Sequence, residues 1–132
     1  MRSNRLLIAS LLLSLGLLTA CSGGGKDSFF ITKQWHDWTI KLETRPHPIR
    51  AGFNEFLVHV VGSNRRLPRG MMVHYRLSPE DGWIQAMPDG LSDIFRRALT
   101  VKDPAHAKLY VRLQYQGKEG LLVFDFSKQH HG

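Results

Sequence analysis

The chain has 132 residues, of which 42% are hydrophobic and 22% charged, and its aromatic side chains comprise seven Phe, three Trp and three Tyr. This composition suits one small folded domain with an apolar core and excludes the low hydrophobicity of a disordered chain. The formal net charge is +7, but along the sequence the basic residues are not grouped with stacking aromatic residues, so we expect no nucleic-acid partner.

The first 20 residues resemble a bacterial lipoprotein signal peptide. Two arginines and a 13-residue apolar segment precede Leu18-Thr19-Ala20-Cys21, in which small residues come directly before the only cysteine. The resemblance implies that residues 1–20 are removed and that Cys21 becomes a lipidated N-terminus that anchors the protein to a membrane. An uncleaved anchor is the alternative, but the apolar segment is shorter than the roughly 20 residues needed to span a bilayer.

Residues 21–28 contain the lipidated cysteine and a flexible tether rich in Gly and Ser. Ser22, directly after the cysteine, resembles the pattern of lipoproteins that Gram-negative bacteria sort to the outer rather than the inner membrane. We therefore expect a lipid-anchored protein of the cell envelope that faces the periplasm. Because Cys21 is the only cysteine, a disulfide, a thiolate metal site or a cysteine nucleophile is unavailable in the domain.

The segment 29–128 has the hydrophobic pattern of a β-rich domain, and residues 129–132 are expected to form a flexible tail. Apolar residues alternate with polar ones, which places one face of each strand in a core. Residues 91–99 also have helical spacing, but the preceding Asp89-Gly90 turn favours a strand. The alternation and the turn signals predict about seven strands, at 35–44, 53–61, 71–77, 83–87, 93–101, 107–116 and 120–126.

Seven short strands in about 100 residues are typical of an immunoglobulin-like antiparallel β-sandwich, with a small open barrel as the alternative. Trp35 is out of phase with the inward-facing residues and close to the tether, which makes it a candidate for contact with a partner or with lipid headgroups. The predicted core consists of Trp38, Ile40, Phe56, Val58, Val60, Val73, Tyr75, Leu109, Val111, Leu113 and Phe124.

The segment Pro48-Ile49-Arg50-Ala51-Gly52-Phe53-Asn54-Glu55-Phe56 is similar to the start of YtkA-like and FixH-like periplasmic domains, where a proline and a Gly-x-Asn turn precede a strand. The similarity covers about 80 residues, through the loop 64–68 and Val73 to Asp89-Gly90 and Phe95. It implies a sandwich fold. Some of these relatives are associated with copper handling or cytochrome oxidase assembly.

Thioether and imidazole side chains suit copper, so the soft ligands are candidate metal donors. Met72 and His74 share one face of a predicted strand, whereas Met71 points to the other face. Met87 and His47 complete the predicted donor set. The alternative is structural, because methionine often fills gaps in cores and an outward-facing histidine is common on strands.

Motifs for catalysis are missing: the sequence has no phosphate-binding glycine loop and no His-Glu-x-x-His. His36 and Asp37 would point to opposite faces of a strand, which makes them poor partners in a proton relay. We therefore predict a non-catalytic, membrane-anchored accessory domain that presents its sandwich surface to an envelope protein, without an obligatory cofactor. A periplasmic copper-binding or metallochaperone-like domain is the alternative function.

Overall fold

The computed structural model describes residues 30–90 and 92–127, which form two antiparallel sheets packed as a β-sandwich. The first sheet has the strand order β1-β2-β3-β7-β6, and the second has the order β5-β4-β8-β9. The predicted all-β sandwich is confirmed, with nine strands rather than seven. These are β1 (Phe30–Trp35), β2 (Trp38–Arg45), β3 (Gly52–Gly62), β4 (Met72–Arg76), β5 (Ile84–Gln85), β6 (Met87–Pro88), β7 (Ile94–Val101), β8 (Lys108–Tyr115) and β9 (Lys118–Asp125), with short 3-10 helices at Ser63–Arg65 and Pro104–His106.

The N-terminal part of the domain differs from the predicted strand at 35–44, because a tight hairpin joins two strands there. Trp35 pairs with Trp38, and the intervening His36 and Asp37 form a turn in which His36 has a φ of 52°. The expectation that these two residues point to opposite faces of a strand was therefore wrong. β1 was not predicted from the sequence, because Lys33 lies in its inward-facing phase and interrupts the apolar alternation.

The predicted strand at 83–87 is divided between the two sheets. β5 pairs with β4 in the second sheet, whereas β6 pairs with β7 in the first. Ala86 lies where the chain crosses between the sheets; it is buried, and its main-chain N–H donates a 2.8 Å hydrogen bond to Val73 O. Pro88 lacks an N–H donor, which suits its position on an edge strand.

The core between the sheets contains the whole predicted set, since each of those eleven residues is at most 2% exposed. Met71 is also buried, as its predicted inward orientation requires. Trp35 packs against the margin of this core and lies directly over Gly120 in β9. This packing explains why Trp35 is half-buried, so its position does not require contact with a protein partner or with lipid headgroups.

The Gly-x-Asn turn before β3 has a structural role. Gly52 has a φ of 99°, a conformation that residues with a Cβ rarely adopt. The side chain of Asn54 is buried and accepts a 3.0 Å hydrogen bond from Arg50 N, while its Nδ2 donates to Arg50 O and Gly52 O. These bonds hold the loop against the start of β3.

Candidate binding surface

The outer face of the second sheet carries three rows of side chains, because strand register places outward-facing residues side by side. The central row runs from His74 in β4 through Arg112 in β8 to Leu121 in β9. The rows on either side are Met72, Gln114 and Glu119, and Arg76, Tyr110 and Val123.

Trp83, just before β5, lies against two arginines of this face. The Cζ atom of Arg76 is 4.1 Å from the centre of the Trp83 ring, and that of Arg112 is 4.8 Å from it. Arg76 is also 5.8 Å from the ring of Tyr110. Such cation–π contacts hold the guanidinium groups in place. We refer to Arg76, Trp83 and Arg112 as the Trp83 cluster.

Several polar atoms on this face are buried without a hydrogen-bond partner among the described residues: Arg76 Nε, Arg112 Nε and His74 Nδ1. The Nε atom of Arg112 is 3.6 Å from Glu119 Oε1, which is an ion pair beyond hydrogen-bonding distance. Burial, and secondarily the charge of Arg112, lowers the pKa of His74 below its usual value. His74 is therefore predominantly neutral at pH 7.

Apolar side chains border the Trp83 cluster on the same face. Leu121 is 57% exposed, Met72 45% and Val123 37%. An open depression of about 360 Å³ lies between Trp83, Arg112, Glu119, Gly120 and Leu121. The face thus combines an aromatic ring, two oriented cations and exposed aliphatic side chains on a rigid sheet.

The outer face of the first sheet differs because several of its charged groups are paired with one another. Glu43 pairs with Arg45 at 2.9 Å and with His59 at 3.0 Å. Arg96 pairs with Glu55 and with Asp89, each at 3.3 Å. Leu57 lies in the outward-facing phase between Glu43 and Arg96 and is nevertheless fully buried. Two groups of ion pairs therefore flank this buried leucine.

The four predicted copper donors are not brought together. Met72 and His74 share the outer face of the second sheet, but Met87 pairs with Arg96 in the first sheet. Within the described ranges, no group of three or more His, Cys, Asp or Glu side chains could hold a metal ion.

His47 is exposed in the loop after β2, whereas Met72 lies at the opposite end of the sandwich, near Trp38 at the start of that strand. Trp38 packs on Tyr115, the last residue of β8, and the preceding residue Gln114 pairs with Met72. Met72 therefore lies at the same end of the sandwich as Trp38. Eight residues of strand separate the two ends, a span of about 27 Å.

Two histidine–carboxylate pairs occur in the part of the chain that the structure describes. His59 lies 3.0 Å from Glu43, and His106 lies 2.8 Å from Asp103 on an exposed turn. Among these residues neither imidazole is hydrogen bonded to a hydroxyl group. The pairs therefore lack the nucleophile of a catalytic triad, and the expectation of a non-catalytic domain stays a prediction.

The predicted signal peptide, lipidation site Cys21, tether and tail all lie outside the described residues. Within residues 30–90 and 92–127, no helix is long and apolar enough to cross a membrane. No protein-family model, curated protein or solved structure matches the chain. The similarity to YtkA-like and FixH-like domains therefore stays a prediction, as does lipidation.

The sequence-based interpretation did not identify the Trp83 cluster, although Arg76 and Arg112 directly follow the predicted core residues Tyr75 and Val111 and therefore fall in the outward-facing phase. The signal that could have found it is two arginines in this phase together with a tryptophan placed directly after a turn. What the sequence alone does not show is that β4 and β8 are neighbours, which is the pairing that brings the arginines together.

Proposed function

We propose that the chain is a non-catalytic binding domain, anchored to an envelope membrane through Cys21, that docks a protein partner on the outer face of its second sheet. The observation that supports this function best is the Trp83 cluster with exposed Leu121 and Val123 beside it. The similarity to YtkA-like and FixH-like domains is part of the same proposal.

Physical chemistry favours this face as an interface. Tryptophan, tyrosine and arginine dominate the binding energy of protein interfaces, and a rigid sheet presents them at little cost in conformational entropy. The first sheet is a weaker candidate, because several of its outward-facing charges are paired with one another.

The proposed anchor is compatible with docking at this face. Residues 21–28 would reach about 28 Å when extended, which is enough for the domain to turn relative to the membrane. Lipidation would raise the local concentration of the domain near envelope partners without occupying either sheet.

Site-specific photo-crosslinking of the full chain in its native cells tests the proposal. A benzophenone amino acid at Leu121 should crosslink to a discrete protein, whereas the same group at Phe53, 73% exposed on the first sheet, should not. The Leu121 product should decrease when Trp83 is replaced by Ala. Equal products from both positions, or none from Leu121, would contradict docking at this face.

Copper binding is the second candidate function, and one observation favours it. Met72 and His74 lie on the same outer face, and the imidazole of His74 has a lowered pKa because of its burial and the nearby Arg112. A neutral imidazole and a thioether are suitable copper ligands. The separation of Met87 and His47 from this pair leaves an incomplete donor set.

A further inference from the structure

We propose that Arg76 and Arg112 form a carboxylate-binding site that recognises an extended acidic segment of a protein partner. This inference rests on the proposed function, since it names the chemistry of the partner at the same face. It is carried by the geometry of the Trp83 cluster and by the terminal guanidinium nitrogens, of which only Arg76 Nη1 makes a hydrogen bond among the described residues.

The two guanidinium groups have donors to offer. Each arginine carries five N–H donors, and the structure engages few of them: Arg76 Nη1 donates to Pro79 O at 3.2 Å, and Arg112 faces Glu119 at 3.6 Å. Stacking on Trp83 restricts both side chains, so a ligand would not have to order them. A planar guanidinium accommodates a carboxylate with two parallel hydrogen bonds.

The upper limit on the separation of the arginines is compatible with an extended peptide. Their Cζ atoms lie 4.1 and 4.8 Å from the same ring centre, so they are no more than about 9 Å apart. In an extended chain, side chains at positions i and i+2 point to the same side and are about 7 Å apart. A Glu-x-Glu segment could therefore place one carboxylate on each arginine, and an apolar residue at i+4 could contact Leu121 or Val123.

The charges on this face favour a protein rather than a membrane. Glu119 lies beside Arg112, and Asp125 is in register with Lys108. These acidic groups reduce the net positive charge of the face. Attraction to anionic lipid grows by about 1 kcal/mol with each basic residue near the surface, so a face of mixed sign suits a membrane poorly. A peptide that sets its carboxylates on two particular arginines tolerates the neighbouring acids.

Fluorescence anisotropy on the full chain in nonionic detergent tests this inference with two labelled peptides. The acidic probe is Glu-Ser-Glu-Ser-Leu with blocked ends, and the control probe replaces both glutamates by glutamine. The acidic probe should bind at least about tenfold more tightly, and Arg76→Gln or Arg112→Gln should each abolish most of this preference. Arg97→Gln, at an exposed arginine of the first sheet, is the matched control and should change nothing.

Equal binding of the two peptides would overturn the inference, as would a preference that survives Arg76→Gln and Arg112→Gln together. Binding to phosphatidylglycerol vesicles that depends on both arginines, without discrimination between the peptides, would assign the site to lipid headgroups and also overturn it. The Leu121 crosslink distinguishes the two proposals. A crosslink that persists in the double variant contradicts carboxylate recognition alone, whereas its absence from the unmodified chain contradicts docking itself.

Discussion

The hydroxyl of Tyr75 in β4 donates a 2.8 Å hydrogen bond to the main-chain carbonyl of Phe95 in β7, and this bond joins the two sheets inside the core. Tyr75 is completely buried among apolar side chains. Burial raises the pKa of Tyr75 well above its usual value, because the phenolate would be stranded without solvent.

Replacing Tyr75 by Phe should lower the free energy of unfolding by about 1 kcal/mol near pH 7, the typical worth of a hydrogen bond. The pKa of Tyr75 is raised in the folded state, so its contribution is complete below the unfolded pKa and decreases as the pH rises above it. The unmodified domain should therefore lose stability above about pH 10 more steeply than the Phe variant. Denaturant titrations at several pH values measure both effects, and parallel pH profiles would contradict the assignment.

The core could be predicted from the sequence because burial follows the two-residue period of a strand. Trp38, Ile40, Val111 and Leu113 each occupy the inward phase of a clear alternation, and each is buried. β1 could not be predicted in this way, because Lys33 occupies its inward phase; its ammonium lies 5.6 Å from the ring centre of Phe124. Lys33 is half-buried, so a charged residue occupies a position where the strand pattern predicts an apolar one.

The pairing of strands and the packing of the two sheets could be predicted less well from the sequence than the positions of the strands. The sequence places Ile84 and Met87 in one short apolar segment, and only the structure shows that they belong to different sheets. The Trp83 cluster depends on the same kind of long-range information, because Arg112 reaches Trp83 from β8. The donor set predicted for copper illustrates the same point, because Met72 and Met87 are near in sequence but lie on different sheets.

Trp35 and Gly120 form a steric pair at the edge of the sandwich, which predicts a large effect from a single methyl group. A Cβ atom on Gly120 would collide with the indole ring of Trp35. We expect Gly120→Ala to lower stability by about 1–3 kcal/mol, as overpacking usually does, and to shift the tryptophan fluorescence. Gly82→Ala is the control, because no atom lies within 4 Å of the added carbon.

A double-mutant cycle isolates this contact. In a Trp35→Ala background the added methyl group has room, so Gly120→Ala should cost little there. If Gly120→Ala lowers the free energy of unfolding equally with and without the Trp35 indole, then Gly120 is required for a different reason.

Glu43 should make the stability of the domain sensitive to acid. Burial alone would raise the pKa of Glu43, but hydrogen bonds from Arg45 and His59 outweigh it and lower the pKa below its usual value. A carboxyl group with a lowered folded pKa stabilises the protein above the unfolded pKa, and this contribution is lost as the pH falls through the folded pKa.

The Glu43→Gln variant should therefore be less stable than the unmodified domain at pH 7, by on the order of 1 kcal/mol, with the difference shrinking below about pH 4.5. Chemical denaturation between pH 3 and 7 measures it. Glu119→Gln is a suitable control, because Glu119 is exposed and its nearest cation is 3.6 Å away. A pH-independent difference for Glu43→Gln would contradict the ion-pair network as its cause.

Lipidation of Cys21 is open to direct measurement. We expect the mature protein to begin at Cys21 and to carry the mass of a diacylglyceryl group and a further acyl chain. Mass spectrometry of the N-terminal peptide detects these additions, and Cys21→Ser should release the protein from the membrane fraction. Separation of the two membranes on a density gradient tests the outer-membrane expectation based on Ser22. A free thiol at Cys21 would refute the anchor.

Copper titration by calorimetry distinguishes the two donors that share a face from the two that do not. The protein should lack His130 and His131, since these tail histidines could bind metal themselves. We expect His74→Ala and Met72→Ala to weaken any copper binding, and Met87→Ala and His47→Ala to leave it unchanged, because the latter residues lie elsewhere on the domain.

The lowered pKa of His74, caused by burial and the nearby Arg112, keeps its imidazole neutral, so this binding should persist below pH 6.5. An effect of Met87→Ala as large as that of His74→Ala would show that the donors converge and that the separation of the sheets' outer faces is wrong.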